Sequence, residues 1–278
     1  MTYPSRVMTI AGSASGGSAG IQADLKTFQE LDVYGMSVVT AIVGRHPVTD
    51  KNVHPMTIEA IEAQFATAMK QVGVDSLKTG MLFSENVIKK VADLLNEEAI
   101  NHIVVDPVMV GKLDSKLLED EAIEALKKEL IPLAEIITPN MPEASFLLDD
   151  REIKKVDDLY KAAEDLYKLG AKHVLVKGGR LEGPAVDVLF DGKVFTEFEV
   201  PRIDTVHTSG AGCSYSAAIA ANLAKDMTVA DAVLQAKDFV TTAIEHGFSY
   251  TEMVGPTYHA ALRNYGEAHK IKVTQSSK

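Results

Sequence analysis

The amino-acid sequence predicts an α/β fold built on a doubly wound, mostly parallel sheet with helices on both faces. Short runs rich in β-branched and apolar residues alternate with amphipathic stretches along most of the chain, the rhythm of parallel strands joined by crossover helices. The strand runs are nearly continuous in apolar residues, as expected where helices cover both faces of a sheet. A length of 278 residues with 46% hydrophobic and 24% charged side chains is ordinary for a globular chain with one sizeable core.

Strands are expected at residues 6–11, 36–43, 74–79, 102–106, 135–138 and 172–177, with helical patterns at 21–31, 58–72, 85–96, 116–130 and 156–169. In the last helix Leu159, Ala162, Ala163, Leu166 and Leu169 fall on one face, the stripe that packs on a sheet. The rhythm then changes. Runs at 186–190 and 194–200 flank Asp191-Gly192, a β-hairpin signal, and two long helix patterns follow at 211–223 and 229–246. No repeat, low-complexity block or linker interrupts the series, so one domain is expected over residues 1–266. Residues 267–278 are polar and expected to fray.

Composition excludes several function classes. A formal net charge of −11 speaks against nucleic-acid binding, which rewards clustered Lys and Arg; a nucleotide needs only a local cationic pocket. No apolar run approaches the roughly 20 residues of a membrane-spanning helix. The single cysteine rules out an intrachain disulfide and fits a reducing compartment. Met1 to Arg6 lead directly into a strand with no secretory pattern. A cytoplasmic protein is expected. There is no G-x-x-x-x-G-K-[ST] and no G-x-G-x-x-G in the first glycine-rich loop. No two of the eight histidines lie closer than His46 and His54, so no local zinc pair is present.

Five segments carry possible chemistry. The loop Gly12 to Gly20 follows a strand and opens a helix, which suits either a tight turn or a flexible substrate-side loop. Asp106 ends a central strand, where open parallel sheets place ligands, although an isolated Asp-Pro is also a turn former. Asn140 and Glu143 are three apart at a helix start; their oxygens suit Mg²⁺ and equally a capping box. Lys177-Gly178-Gly179 ends another strand with a positive charge and backbone open to close approach. The most specific is Gly210-Ala211-Gly212-Cys213, where a glycine-rich turn puts bare N–H groups at a helix N-terminus, a ready anion site. The same partial charge is expected to favour the Cys213 thiolate.

Together these segments resemble the bacterial hydroxymethylpyrimidine kinase and pyridoxal kinase family of the ribokinase superfamily. The resemblance runs from Val7 to about Leu262. It rests on Thr9-Ile10-Ala11-Gly12-Ser13, the run from Ala19 to Phe28, Lys78-Thr79-Gly80-Met81-Leu82, and Val105-Asp106-Pro107-Val108-Met109. Thr138-Pro139-Asn140, Glu143-Ala144, Lys177-Gly178-Gly179, Gly210-Ala211-Gly212-Cys213 and Val254-Gly255-Pro256 complete it. It implies a ribokinase-like fold with the hairpin near the nucleotide side, ATP as co-substrate, Mg²⁺ and a homodimer. Gly210, Ala211 and Gly212 would form the anion hole for the transferring phosphoryl group, and Cys213 would stand where most ribokinase relatives carry an aspartate base. Asn140 and Glu143 would organise Mg²⁺ and its waters, with Asp106 nearby. Lys177, Gly178 and Gly179 would hold ATP phosphates, Lys112 would belong to a lid, and Gly12, Ser13 and Met81 would line the ring pocket.

Departures from the family pattern bear on the substrate. Ala14 stands where many members have Asp, and Ser209 stands where a His usually precedes the Gly-Ala-Gly-Cys run. Gly111 stands where some pyridoxal-specific relatives have a second cysteine. Arg45 replaces a Glu of hydroxymethylpyrimidine kinases; a carboxylate there could accept from an aminopyrimidine, and an arginine cannot. The expectation is therefore a kinase acting on the 5′-hydroxymethyl group of a vitamin B6 vitamer, pyridoxal, pyridoxine or pyridoxamine. Alternatives are hydroxymethylpyrimidine or hydroxymethylpyrimidine-phosphate kinase, and a non-catalytic binding protein on the same fold.

Overall fold

The sheet is wound outward from β1 (Arg6–Ala14), which pairs in parallel with β2 (Tyr34–Val43) on one side and β4 (Ser76–Thr79) on the other. The computed structural model describes residues 3–49, 52–110, 118–266 and 269–277. From β4 the parallel run continues through β5 (His102–Val105), β6 (Ile136–Ile137) and β7 (Val174–Lys177). β8 (Ala185–Phe190), β9 (Val194–Val200) and β10 (Lys272–Ser277) extend this end antiparallel, and β3 (Val53–Pro55) closes the other edge against β2. The order β10-β9-β8-β7-β6-β5-β4-β1-β2-β3 reverses direction at β1, a topological switch point.

The two-residue period of the strands divides the core into two layers. Met8, Ile10, Leu77, Val105, Ile137, Val174 and Val176 face one side, under α2 (Ile58–Gln71), α3 (Glu85–Asn96), α4 (Asp120–Ala125), α5 (Met141–Leu147) and α6 (Val156–Tyr167). Val7, Val104, Ile136, Leu175 and Leu189 face the other, under α1 (Ile21–Glu30), α7 (Ala211–Leu223) and α8 (Val229–Glu245). The short α9 (Ala261–Tyr265) follows. Every residue of α7 from Ser214 to Leu223 is buried, as expected for a helix that is apolar on all sides. Its run of Ala217, Ala218, Ala220 and Ala221 lets sheet and neighbouring helices approach closely. No helix among the described residues is long and apolar enough to cross a membrane.

The structure departs from the expected elements in four places. β1 does not stop at Ala11; it passes a register shift between Ala11 and Gly12 and stays paired to Ala14, so the first glycine-rich loop is shorter than expected. The helix expected over 116–130 begins, among the described residues, at Asp120 and widens into a π turn, Leu126–Leu130, before a 3₁₀ turn, Ile131–Leu133. Pro132 brings no N–H to continue an α ladder. β3 carries too few residues to register as a strand in the sequence. The tail expected to fray instead forms β10, which pairs with β9 from Lys272↔Glu199 to Ser277↔Val194. Without it β9 would present an open edge of N–H and C=O groups, and a backbone ladder can satisfy these with polar side chains.

Asp187 of β8 and Lys237 of α8 form a buried ion pair, Nζ to Oδ2 2.6 Å, and Asp187 Oδ1 also accepts from the Gly178 N–H at 3.1 Å. Lys237→Met would strand the carboxylate without its partner, so a urea titration should show a loss of about 3–5 kcal/mol. A loss under about 1 kcal/mol would mean that α8 is held on the sheet by apolar contact alone.

Candidate active site

In open α/β sheets ligands sit beyond the carboxyl ends of the strands at the switch point. Here the ends of β1, β4, β5, β6 and β7 deliver Gly12 and Ser13, Gly80 and Met81, Asp106, Asn140, and Lys177 to one edge. The N-terminus of α7 lies over the same edge. A Cβ on Gly210 would sit 1.7 Å from the Ser18 carbonyl oxygen, and its φ is +86°, so only glycine fits this cap. No side chain caps the helix. Ala211 N–H is committed to Thr208 O at 3.1 Å; the N–H groups of Gly210, Gly212 and Cys213 have no acceptor among the described residues. Of the three residues expected to form the anion hole, Gly210 and Gly212 therefore keep a donor and Ala211 does not.

Lys177 completes the positive side. A Cβ built on Gly212 would lie 3.5 Å from its Nζ, so ammonium and helix N-terminus share one space. Burial by itself would lower the Lys177 pKa, but Asp106, Glu143 and Cys213 outweigh it and hold it above the ordinary lysine value. Lys177 Nζ donates to Asp106 Oδ1 at 3.2 Å. Thr138 Oγ1 donates to that oxygen at 3.2 Å and Ser216 Oγ to Oδ2 at 3.0 Å, which fixes the carboxylate in place. The neighbouring glycines differ from expectation. Gly178 N–H is spent on Val186 O at 2.9 Å and on Asp187, and a Cβ there would lie 2.3 Å from Val186 O. Gly178 is thus a packing position, not a phosphate donor, while Gly179 faces open space.

Asn140 and Glu143 form the capping box of α5: Asn140 Oδ1 accepts from Glu143 N at 3.0 Å and Glu143 Oε2 from Asn140 N at 2.8 Å. Glu143 is nevertheless more than a cap. Its carboxyl is buried and pushed up to about 7, by burial first and by Asp106, with Lys177 opposing. Among the described residues no three Asp, Glu, His or Cys side chains converge as a metal cage. Mg²⁺ seldom uses one; it keeps several waters and takes one or two carboxylates together with phosphate oxygens. A buried carboxyl beside a second carboxylate fits such a cation, for which Glu143 and Asn140 would be the protein side.

Cys213 lies between the start of α7 and the turn at Gly20. Its Sγ accepts from Gly20 N–H at 3.5 Å. Gly20 bridges to Ser13, and its own Cβ would lie 2.2 Å from Gly12 O. A Cβ on Gly12 would meet Met81 Cε at 2.5 Å; Met81 O is held by Thr40 Oγ1 at 2.7 Å, and Ser13 Oγ accepts from Gln22 Nε2 at 2.7 Å. Gly12, Ser13 and Met81 are thus brought together, and Gly20 links Gly12 and Ser13 to the thiol. Arg45 lies further out, exposed just past the end of β2, and Lys112 and Gly111 fall outside the described residues. The expected thiolate is not found. Burial pushes the Cys213 thiol up to about 11; Lys78 opposes this, and Asp24 and Asp106 add to it. Loss of water outweighs the partial charge of the helix terminus.

Sequence reasoning gave no role to two side chains at the centre of this edge. Lys78 Nζ donates to both oxygens of Asp24 at 2.9 Å, with both side chains wholly buried, and Thr9 Oγ1 donates to Asp24 Oδ2 at 2.7 Å. The signal was present. Asp24 falls on the buried stripe of α1 with Ile21, Thr27 and Phe28, and Lys78 sits inside a strand buried at all four positions.

The phosphomethylpyrimidine kinase family matches residues 14–258. The chain is 47% identical over 262 residues to pyridoxine kinase of Bacillus subtilis (strain 168), covering 93% of this chain and 97% of that one. It is 44% identical over 260 residues to hydroxymethylpyrimidine/phosphomethylpyrimidine kinase of the same organism, covering 93% and 96%. The structure of pyridoxal kinase from Staphylococcus aureus in complex with AMP-PCP superposes with a TM-score of 0.91 at 38% identity, covering 99% of this chain and all of that one. The chain that folds this switch-point edge, and carries its uncapped helix and buried lysines, belongs to the phosphomethylpyrimidine kinase family of ribokinase-like kinases.

Proposed function

We propose that the protein transfers the γ-phosphoryl group of ATP to the 5′-hydroxymethyl group of pyridoxal, pyridoxine or pyridoxamine. The observation that carries this reading is the position of Cys213. Its thiol meets the Gly20 N–H, and Gly20 in turn packs on Gly12, while the uncapped N–H groups of α7 and the Lys177 ammonium lie at the same helix start. An acceptor ring in the first space would aim its hydroxymethyl group at a phosphoryl group in the second. Phosphoryl transfer requires little beyond such positioning and charge neutralisation. The staphylococcal relative bound to AMP-PCP supports ATP as donor.

In the reaction the acceptor O–H gives its proton to Cys213 Sγ, the oxygen bonds to the γ-phosphorus, and the bond from that phosphorus to the ADP oxygen breaks. Cys213 rests as a thiol, so its own proton must first leave to solvent; Lys78, Lys177 and the α7 N-terminus favour that loss. Gly210 and Gly212 N–H groups and Lys177 would meet the charge on the transferring group. Mg²⁺, held through Glu143, Asn140 and water, would supply further positive charge to the phosphate oxygens. A second reading, hydroxymethylpyrimidine or hydroxymethylpyrimidine-phosphate kinase, is favoured by the 44% identical Bacillus relative of that name. Arg45 weighs against it, because a guanidinium cannot accept from an amino group.

Three measurements bear on this reading. Pyridoxal should show a clearly higher kcat/KM than hydroxymethylpyrimidine in an ADP-release assay, and Arg45→Glu should narrow the gap; the reverse order would leave the kinase reaction standing and replace its substrate. Because Glu143 loses its proton near 7, the half-saturating Mg²⁺ concentration should fall about tenfold from pH 6 to pH 8. Glu143→Gln should weaken Mg²⁺ dependence and flatten that profile, and an unchanged titration would reduce Glu143 to its cap. Cys213→Ala should fold and bind ATP yet lose about 10²–10⁴-fold in kcat, with Cys213→Asp recovering part of it. In the wild type kcat should climb from pH 7 to pH 9 as the thiolate fraction grows, a slope absent from Cys213→Asp. Near-normal kcat in Cys213→Ala would end the base assignment.

A further inference from the structure

Lys78 and Asp24 are wholly buried, and burying such a pair brings little net stability, because desolvation of the two ions offsets their attraction. Apolar residues of similar volume would serve a core as well. Their location suggests another use. Lys78 is the third residue of β4 at the switch point, and its Nζ would stand 3.2 Å from a Cβ on Gly80. Asp24 lies in the first turn of α1, and its backbone N–H donates to Gly20 O at 3.0 Å. Gly20 is also the residue whose N–H reaches Cys213 Sγ. A short path of contacts therefore leads from Lys78 through Asp24 and Gly20 to the thiol.

We propose that Lys78 and Asp24 are a positioning pair for Cys213: they anchor the start of α1 so that Gly20 N–H meets the sulfur, and they place a fixed cation, partly balanced by its carboxylate, behind it. The charged groups around the thiol are Asp24 from α1, Lys78 from β4, Asp106 from the end of β5 and Lys177 from β7. Burial alone would lower the Lys78 pKa, but Asp24, Cys213 and Asp106 hold it above the ordinary lysine value, so its charge is permanent. Lys78 pulls the thiol pKa down and Asp24 pushes it up. The two partners thus act on the sulfur with opposite sign, so removing each one alone should move the thiol in opposite directions. The catalytic importance of this bias rests on Cys213 being the proton acceptor; the bias itself does not.

Cys213 is the sole cysteine, so iodoacetamide alkylation of the intact protein, without substrate, reads this thiol directly. Below its pKa the alkylation rate follows the thiolate fraction, tenfold per pH unit. At about pH 8.5, Asp24→Asn should react about tenfold faster than wild type and Lys78→Met about tenfold slower. Rates that move the same way in both variants, or in neither, overturn the proposal and leave the pair as packing. Either single variant leaves one buried charge unpaired, which strongly destabilises a fold. The double variant Asp24→Asn/Lys78→Met removes both charges and should melt near the wild-type temperature. It should nonetheless lose at least about tenfold in kcat, with the KM for ATP changed less than about threefold; wild-type kcat in the folded double variant would overturn the proposal. If the wild type phosphorylates no vitamin B6 vitamer, the function above falls while the alkylation order still decides this one.

Discussion

The site depends on the balance of charge buried at one edge of the sheet. Lys78 and Lys177 supply two positive charges and Asp24 and Asp106 two negative ones, all in side chains almost wholly out of water. With that balance reached, any further anion is expensive. Burial is the larger cause at both unusual groups, and the neighbouring carboxylates add to it. Glu143 is held half protonated near neutrality, and the Cys213 thiol is pushed far towards protonation. Neither behaviour follows from the residue's own helix terminus, which in each case would favour the anion. In the function proposed above, the phosphate charge of a nucleotide would be easier to accept in such a site when a cation arrives with it.

Geometry at two glycines makes this balance usable. Gly210 lets the cap of α7 press against Ser18 O at a left-handed φ, and that contact brings the helix N-terminus over the ends of β5 and β7 without a capping side chain. Gly12 lets Met81 lie across β1. One close approach builds the anion side and the other builds the ring side, and Gly20, pressed against Gly12 O while donating to Sγ, joins them. Gly178 shows that a glycine in such a neighbourhood need not touch ligand. Its N–H is consumed by β8, and its missing Cβ makes room for the Val186 carbonyl.

Much of the fold was legible because its signals are local. Apolar runs between Gly, Pro and Asp punctuation locate the strands, and Asp191-Gly192 marks the hairpin. The failures share a cause. β10 and β3 exist because neighbouring edges need backbone partners, a demand that leaves no pattern in polar residues such as Thr274 and Gln275. At the site, residues that end parallel strands could be read individually, since topology then collects them. The capping box of Asn140 and Glu143 was open to two readings, and the structure shows the cap while burial of Glu143 supplies the reason to expect more. What could not be read was burial itself. Cys213 behind Gly-x-Gly suggests a thiolate only if water is present. The pairing of Asp24 with Lys78 spans 54 positions and appears only when α1 is laid on β4.

Reaction and substrate choice are carried by separate parts of this edge. The groups that would handle phosphate and proton come from β4 to β7 and the start of α7, where each polar atom is held by several partners and a change in one charge disturbs the others. The groups that would meet the acceptor ring come from β1, from Met81 and from the segment after β2, which carries Arg45. Arg45 is exposed, so a change there does not break the charge balance behind Cys213. A frame of this kind can keep its phosphoryl chemistry while its ring preference drifts. Kinases named for a pyridine and for a pyrimidine match the chain almost equally well, so overall identity carries little information about the ring. In the function proposed above the decision would lie in a few side chains on the β2 side, Arg45 among them.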